Sequence, residues 1–145
     1  MQHTLSLGHA DARRAIEAIE AEARKRGKPV VIAVADPHGE LIGLLRLDGA
    51  PLASVVIATN KAWTAARERK PTLEIGQRSR HPENGWDLAN YGDRRYVGWG
   101  GGLPVWADGS VVGAVAVSGL TQQEDVELAQ AGVDAILAGQ VDDRR

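Results

Sequence analysis

The chain has 145 residues, 17 basic and 19 acidic side chains, a net charge of −2 and 43% apolar residues, a composition that suits one globular domain spanning residues 1–145. No basic tract stands clear of acidic neighbours, so the electrostatic footprint of a nucleic-acid binder is missing. There is no cysteine, which excludes disulfides and thiolate chemistry, and no apolar run approaches the length of a membrane span.

The first fourteen residues lack a charged start followed by an apolar stretch, so no secretion signal is expected and a cytoplasmic location is the default. Ser6 can cap a first helix, where Ala12, Ile16, Ile19 and Ala23 recur at three- and four-residue steps. Arg13, Glu17, Glu20 and Arg24 fill the other face, and Gly27 closes the helix. Pro29 opens a strand over 30–35, apolar on both faces and therefore expected at the centre of a sheet. Asp36-Pro37-His38-Gly39 is a turn. A second strand over 40–47 makes a hairpin with the first, and Asp48-Gly49-Ala50-Pro51 breaks the chain again.

A second helix is predicted over 54–69, with Ser54, Ile57, Ala58, Lys61, Ala62 and Ala65 on its inner face. These side chains are mostly small, so a backbone or a ligand is expected close by. Pro71 ends the helix, and Thr72 caps a short turn through Ile75. Residues 77–102 are polar and follow neither period, a length of irregular chain that is usually functional or disordered. Five of the six aromatic residues (Trp86, Tyr91, Tyr96, Trp99 and, just beyond the segment, Trp106) fall within 21 positions. Disordered tracts are poor in aromatics, so the segment reads as an ordered flap, with a further strand near 96–99 as one option.

Three glycines, Gly100, Gly101 and Gly102, lead into a short strand at 103–106, and Asp108-Gly109 is a strong hairpin signal before a β-branched strand over 111–117. Thr121 and Glu124 have the spacing of a capping box. The helix they start presents Val126, Ala129, Val133, Ile136 and Leu137, with Gly139 as its stop and a frayed tail over 141–145. Two hairpins with segregated helices predict an α+β domain built on an antiparallel sheet of about five strands.

Several motifs carry a resemblance. Asp36-x-x-Gly39, Arg46-Leu47-Asp48-Gly49-Ala50, Lys61-Ala62 with Thr64-Ala65, and Pro71-Thr72 are followed by Gly100-Gly101-Gly102-Leu103-Pro104, Gly113-Ala114, and Ser118-Gly119 with Asp125. In this order and spacing the chain resembles the GlcG/HbpS family, also called the haem-degrading or DUF336 domain, which includes the C-terminal domain of PduO-type proteins. The resemblance covers residues 5–138. It implies a PAS/profilin-like two-layer α+β fold and homo-oligomers from dimers to octamers. It also implies a link to haem binding or degradation, to redox sensing, or to small-acid metabolism, with haem as the candidate cofactor. The chain departs from the family pattern at Leu47, Val126 and Leu103, and its flap over 80–99 is longer and more aromatic.

Lys61 lies on the small-residue helix face. Buried, its ammonium would need a partner and its pKa would fall; it would then hold a carboxylate or act as a base, unless its stem lies on the core and its head reaches water. Arg46 and Asp48 stand two apart at a strand end, where Arg46 could clamp a carboxylate through its planar fork or pair internally with Asp48 or Asp125. The triple glycine can turn backbone amides toward a ligand or simply reverse the chain; no Lys-Ser/Thr follows, so it is not a phosphate loop. Leu103, Trp99, Tyr96 and Arg94 complete the candidate lining, the aromatics closing over a flat or apolar ligand or packing against a neighbouring subunit. Asp125 suits the positive end of the last helix for structural reasons alone, with a catalytic carboxylate as the alternative. The four histidines, His3, His9, His38 and His81, lack metal-site spacing, so no metal site is expected, although one could ligate haem iron axially.

Three functions stay open. The chain is an oligomeric small-ligand or haem-binding protein; or a cofactor-independent enzyme for a small carboxylated or aromatic metabolite, with Lys61 and Arg46 in its site; or a structural or regulatory oligomer without a ligand.

Overall fold

The computed structural model describes residues 1–143. Helix α1 (His9–Arg26) leads into strands β1 (Val31–Ala35) and β2 (Leu41–Arg46), then helices α2 (Ser54–Glu68) and α3 (Thr72–Ser79). A single 3₁₀ turn at Leu88–Tyr91 interrupts the flap, and β3 (Gly102–Ala107), β4 (Ser110–Ser118) and α4 (Gln122–Asp143) complete the chain. Among the described residues no helix is long and apolar enough to cross a membrane.

The four strands form one antiparallel sheet in the order β2-β1-β4-β3. β1 is buried along its whole length, as its unbroken apolar run requires for a strand with two neighbours. Successive side chains of a strand face opposite ways, and β1 divides accordingly. Val30, Ile32 and Val34 join α1 and α4 in one core, through Ile19, Ala23, Leu128, Ala129 and Ile136. Val31, Ala33 and Ala35 join Ala58 and Ala62 of α2, with Ala116 of β4, on the other side. Helices therefore cover both faces, one helical layer more than the two layers expected. The α2 face meets the sheet through alanines, which brings helix and sheet backbones close together.

Four strands form, where about five were expected. Residues 96–99 do not pair with the sheet; the segment is held to α2 by the Thr64 side chain instead. The hydroxyl of Thr64 donates to Arg95 O at 3.0 Å and accepts from Val97 N at 3.1 Å. Gly98 then presses on Gly76 so closely that a Cβ on Gly98 would lie 2.9 Å from the Gly76 Cα. The flap is thus an ordered strap tied to α2 and α3.

Other boundaries move for local reasons. Gly8, and not Ser6, precedes α1; its amide donates to Asp11 Oδ2 at 2.8 Å, while the Ser6 hydroxyl donates to Leu7 O. α3 continues four residues past the expected turn at Ile75. Gly139 does not stop α4. The Arg14 side chain lies over it, leaving no room for a Cβ (2.7 Å from Arg14 Cδ), and Arg14 is paired with Asp143 at 3.2 Å. The expected frayed tail is helical through Asp143, and its last two residues, 144–145, lie outside the described residues. Leu137 is 37% exposed, and Leu128 takes the core position instead.

Candidate functional site

Lys61 and Asp125 form a buried ion pair where α2, β4 and α4 converge. Both residues are 2% exposed. Lys61 Nζ donates to Asp125 Oδ2 at 3.1 Å and to Val117 O at 3.0 Å. The second oxygen of Asp125, Oδ1, accepts from Leu120 N at 3.1 Å. Asp125 thus fixes the turn entering α4 as well as the lysine. Burial depresses the pKa of the Lys61 ammonium, and the nearby Asp125 charge works against that. Burial likewise raises the Asp125 carboxyl, against the pull of Lys61. Desolvation thus outweighs mutual attraction for both partners, as expected when two charges leave water.

Gly101 is placed against this pair. Its φ is +130°, and a Cβ there would stand 2.8 Å from Lys61 Nζ and 2.9 Å from Asp125 Cβ. Only glycine has both the dihedral range and the space. Its neighbours are anchored by side chains: Gly100 N donates to Gln122 Oε1 at 2.8 Å, and Gly102 N to Thr72 Oγ1 at 2.9 Å. The hydroxyl of Ser118 donates to that of Ser54 at 3.1 Å, both side chains buried. α4 begins with Thr121, whose hydroxyl accepts from Glu124 N at 3.2 Å and donates to Glu124 Oε1 at 3.0 Å. The carboxylate reaches the hydroxyl where a full capping box would have it reach the backbone amide.

Above the pair opens a hollow of about 520 Å³, lined by Ser54, Ile57, Lys61, Trp99, Ser118 and Asp125 among others. The structure therefore brings together Lys61, Asp125, Gly101 and Trp99. It does not bring in Arg46 and Asp48. These are exposed on the far end of β2 and line a separate cleft with Glu20, Arg24 and Lys28; the Arg46–Asp125 pairing is replaced by Lys61–Asp125. Arg94 and Tyr96 line a third depression with Leu88 and Asp93, and Leu103 is buried in the core on the α1/α4 side. A one-strand position argument could not show that the β2 end and α2 are separated in this way.

Sequence reasoning missed Gln122, Thr72 and Trp63. Trp63 is buried beside Tyr96 (centroids 4.7 Å apart), with Arg95 Cζ 4.2 Å and Arg67 Cζ 4.6 Å from its ring centre. Its position outside the small-residue face gave no signal, because the strap that covers it is not periodic. A fourth cleft, of about 340 Å³, is lined by His3, His38, Arg69 and Trp106 among others. Two of the four histidines, far apart in sequence, thus line one cleft.

Comparisons with known proteins agree with this architecture. The family model described as "Haem degrading protein HbpS-like" matches residues 7–134. An uncharacterized 15.0 kDa protein of the dhaT-dhaS intergenic region of Citrobacter freundii is 37% identical over 133 residues, 92% of this chain and 94% of that one. The crystal structure of the Klebsiella pneumoniae protein ORFY superposes with a TM-score of 0.88 at 33% identity, covering 95% of each chain. A structure described as a PduOC:heme complex superposes with a TM-score of 0.84 at 29% identity, covering 90% of this chain and 95% of that one. On the fold and on these matches, the chain belongs to the HbpS-like family.

Proposed function

We propose that the protein is a small-ligand-binding member of this family and that its ligand occupies the hollow above Lys61 and Asp125. The observation that carries the reading is the convergence of a buried ion pair, two buried hydroxyls and an exposed indole on one open hollow. A buried Lys–Asp pair is a costly way to stabilise a domain, and perturbed ionisable groups that line a cleft are candidates for a functional site. Lys61 has three N–H groups, of which two have partners among the described residues. Both oxygens of Asp125 already receive donors. The third N–H of Lys61, the hydroxyls of Ser54 and Ser118 and the positive end of helix α4 at Thr121 and Gln122 are the donors available to a molecule in the hollow. A small acid or other acceptor-rich molecule is the matching ligand. Calorimetric titration with acetate, glycolate and benzoate tests this. Binding that Ser118→Ala and Ser54→Ala weaken in parallel supports the reading, and no heat from any of the acids removes it.

Haem is a second reading, and the two clefts fit it differently. None of the residues lining the Lys61 hollow is His, Met, Tyr or Cys, the side chains that hold haem iron. The other cleft supplies His3 and His38, with Trp106 for the ring and Arg69 for acid groups. There the residues would hold the group, and the bound haem would supply a redox-active iron. Haemin titration should give a Soret band that His38→Ala and His3→Ala shift or remove. An unchanged haemin spectrum ends this reading and leaves the first untouched.

Oligomerisation belongs to the same proposal. Leu52, Val56 and Trp106 are large, exposed apolar side chains, suited to contacts between copies of the chain, and light scattering measures the assembly.

A further inference from the structure

Trp99 is 57% exposed, yet the backbone on either side of it is firmly seated. Before it, Gly98 is buried against Gly76, its carbonyl accepts from Arg80 Nη1 at 3.4 Å, and Val97 N donates to Thr64. After it, Gly100 N donates to Gln122. A large aromatic side chain on a fixed backbone presents its face at little entropic cost. This one forms the aromatic wall of a hollow whose other large apolar residues, Ile57 and Leu120, are aliphatic and whose floor is polar.

From this placement we infer that Trp99 is the specificity-determining residue of the hollow and selects a flat aromatic or heteroaromatic ring bearing a carboxylate. The inference rests on the reading of the hollow as a ligand site and names the class of ligand. The ring lies against the indole, where offset or edge contacts between π systems add to the area buried. The carboxylate turns toward the donor-rich end, where Lys61 has an N–H to offer and the seryl hydroxyls stand.

The test is a matched pair of probes, benzoate and cyclohexanecarboxylate, which share size and charge and differ in planarity. Titration of the full chain should show benzoate binding about tenfold more tightly, with quenching of tryptophan fluorescence. Trp99→Ala should weaken both probes through the lost buried area, benzoate the more, and bring the two affinities to within about threefold. Because Trp99 is exposed, that variant should fold, and an unshifted melting temperature checks it. Equal affinities in the wild type, or a preference that survives Trp99→Ala, overturn the inference and leave the binding site standing. Failure of both probes and of the aliphatic acids overturns the site and the inference together. Should Trp99→Ala change only the oligomeric state and no affinity, the indole serves a subunit contact and the inference falls.

Discussion

A methyl group on Gly101 would stand 2.8 Å from the Lys61 ammonium nitrogen, so the triple-glycine bend and the buried cation are two halves of one construction. Gly101→Ala should destabilise the protein by about 3 kcal/mol or more, from an unsuitable dihedral and a collision with the ion pair. Gly109→Ala makes the comparison. Its φ is also positive, at +78°, but a Cβ there meets nothing within 4 Å, and the expected cost is about 1 kcal/mol. Urea denaturation of both variants separates strain from collision.

Lys61→Met leaves Asp125 charged and buried without its partner, at an expected cost of about 3–5 kcal/mol. The double variant Lys61→Met/Asp125→Leu removes both charges and should recover much of that loss, Leu120 N and Val117 O then losing these partners. A double-mutant cycle by chemical denaturation measures the coupling; strictly additive losses would show that the two side chains do not act as a pair.

Thr64 supports the strap with a single hydroxyl that serves both Arg95 O and Val97 N. Thr64→Val keeps the shape and removes both hydrogen bonds, for an expected loss of about 1–3 kcal/mol. Amide exchange at residues 95–98 should accelerate more than in β1 or β4. Uniform acceleration over the whole chain would mean that the strap has no independent opening.

The strap should also respond to acid. Arg95, bonded to Asp93 at 2.8 Å, draws the Asp93 carboxyl down to about 2 from the ordinary 3.8. A carboxyl depressed in the folded state stabilises it above its ordinary value and loses that contribution as pH falls through the folded value. Tryptophan emission, to which Trp63 beneath Arg95 contributes, should therefore change between about pH 4 and pH 2. Asp93→Asn should flatten that limb. An identical acid profile in the variant would assign the transition to other carboxylates.

Elements with a clear period were legible from the residues alone. The all-apolar β1, the Asp108-Gly109 hairpin and the small-residue face of α2 each follow from one local rule; that β4 rather than β3 lies beside β1 is a long-range pairing the local rules do not show. Lys61 and Asp125 were each singled out, but their pairing was not, because it joins two helices 64 positions apart. Arg46 was expected near Lys61 through a shared motif pattern, and the strand carries it to another face. Gly139 shows the opposite failure: its residue type signals a helix end, and a long-range contact with Arg14 overrides the signal.

The alanine contact between α2 and the sheet has a consequence for redesign. Ala58, Ala62 and Ala116 leave no slack behind the helix, so bulk added there lifts α2 outward and carries Lys61 with it. The depth of the hollow above Lys61 is thereby adjustable from its rear, by substitutions that do not line it.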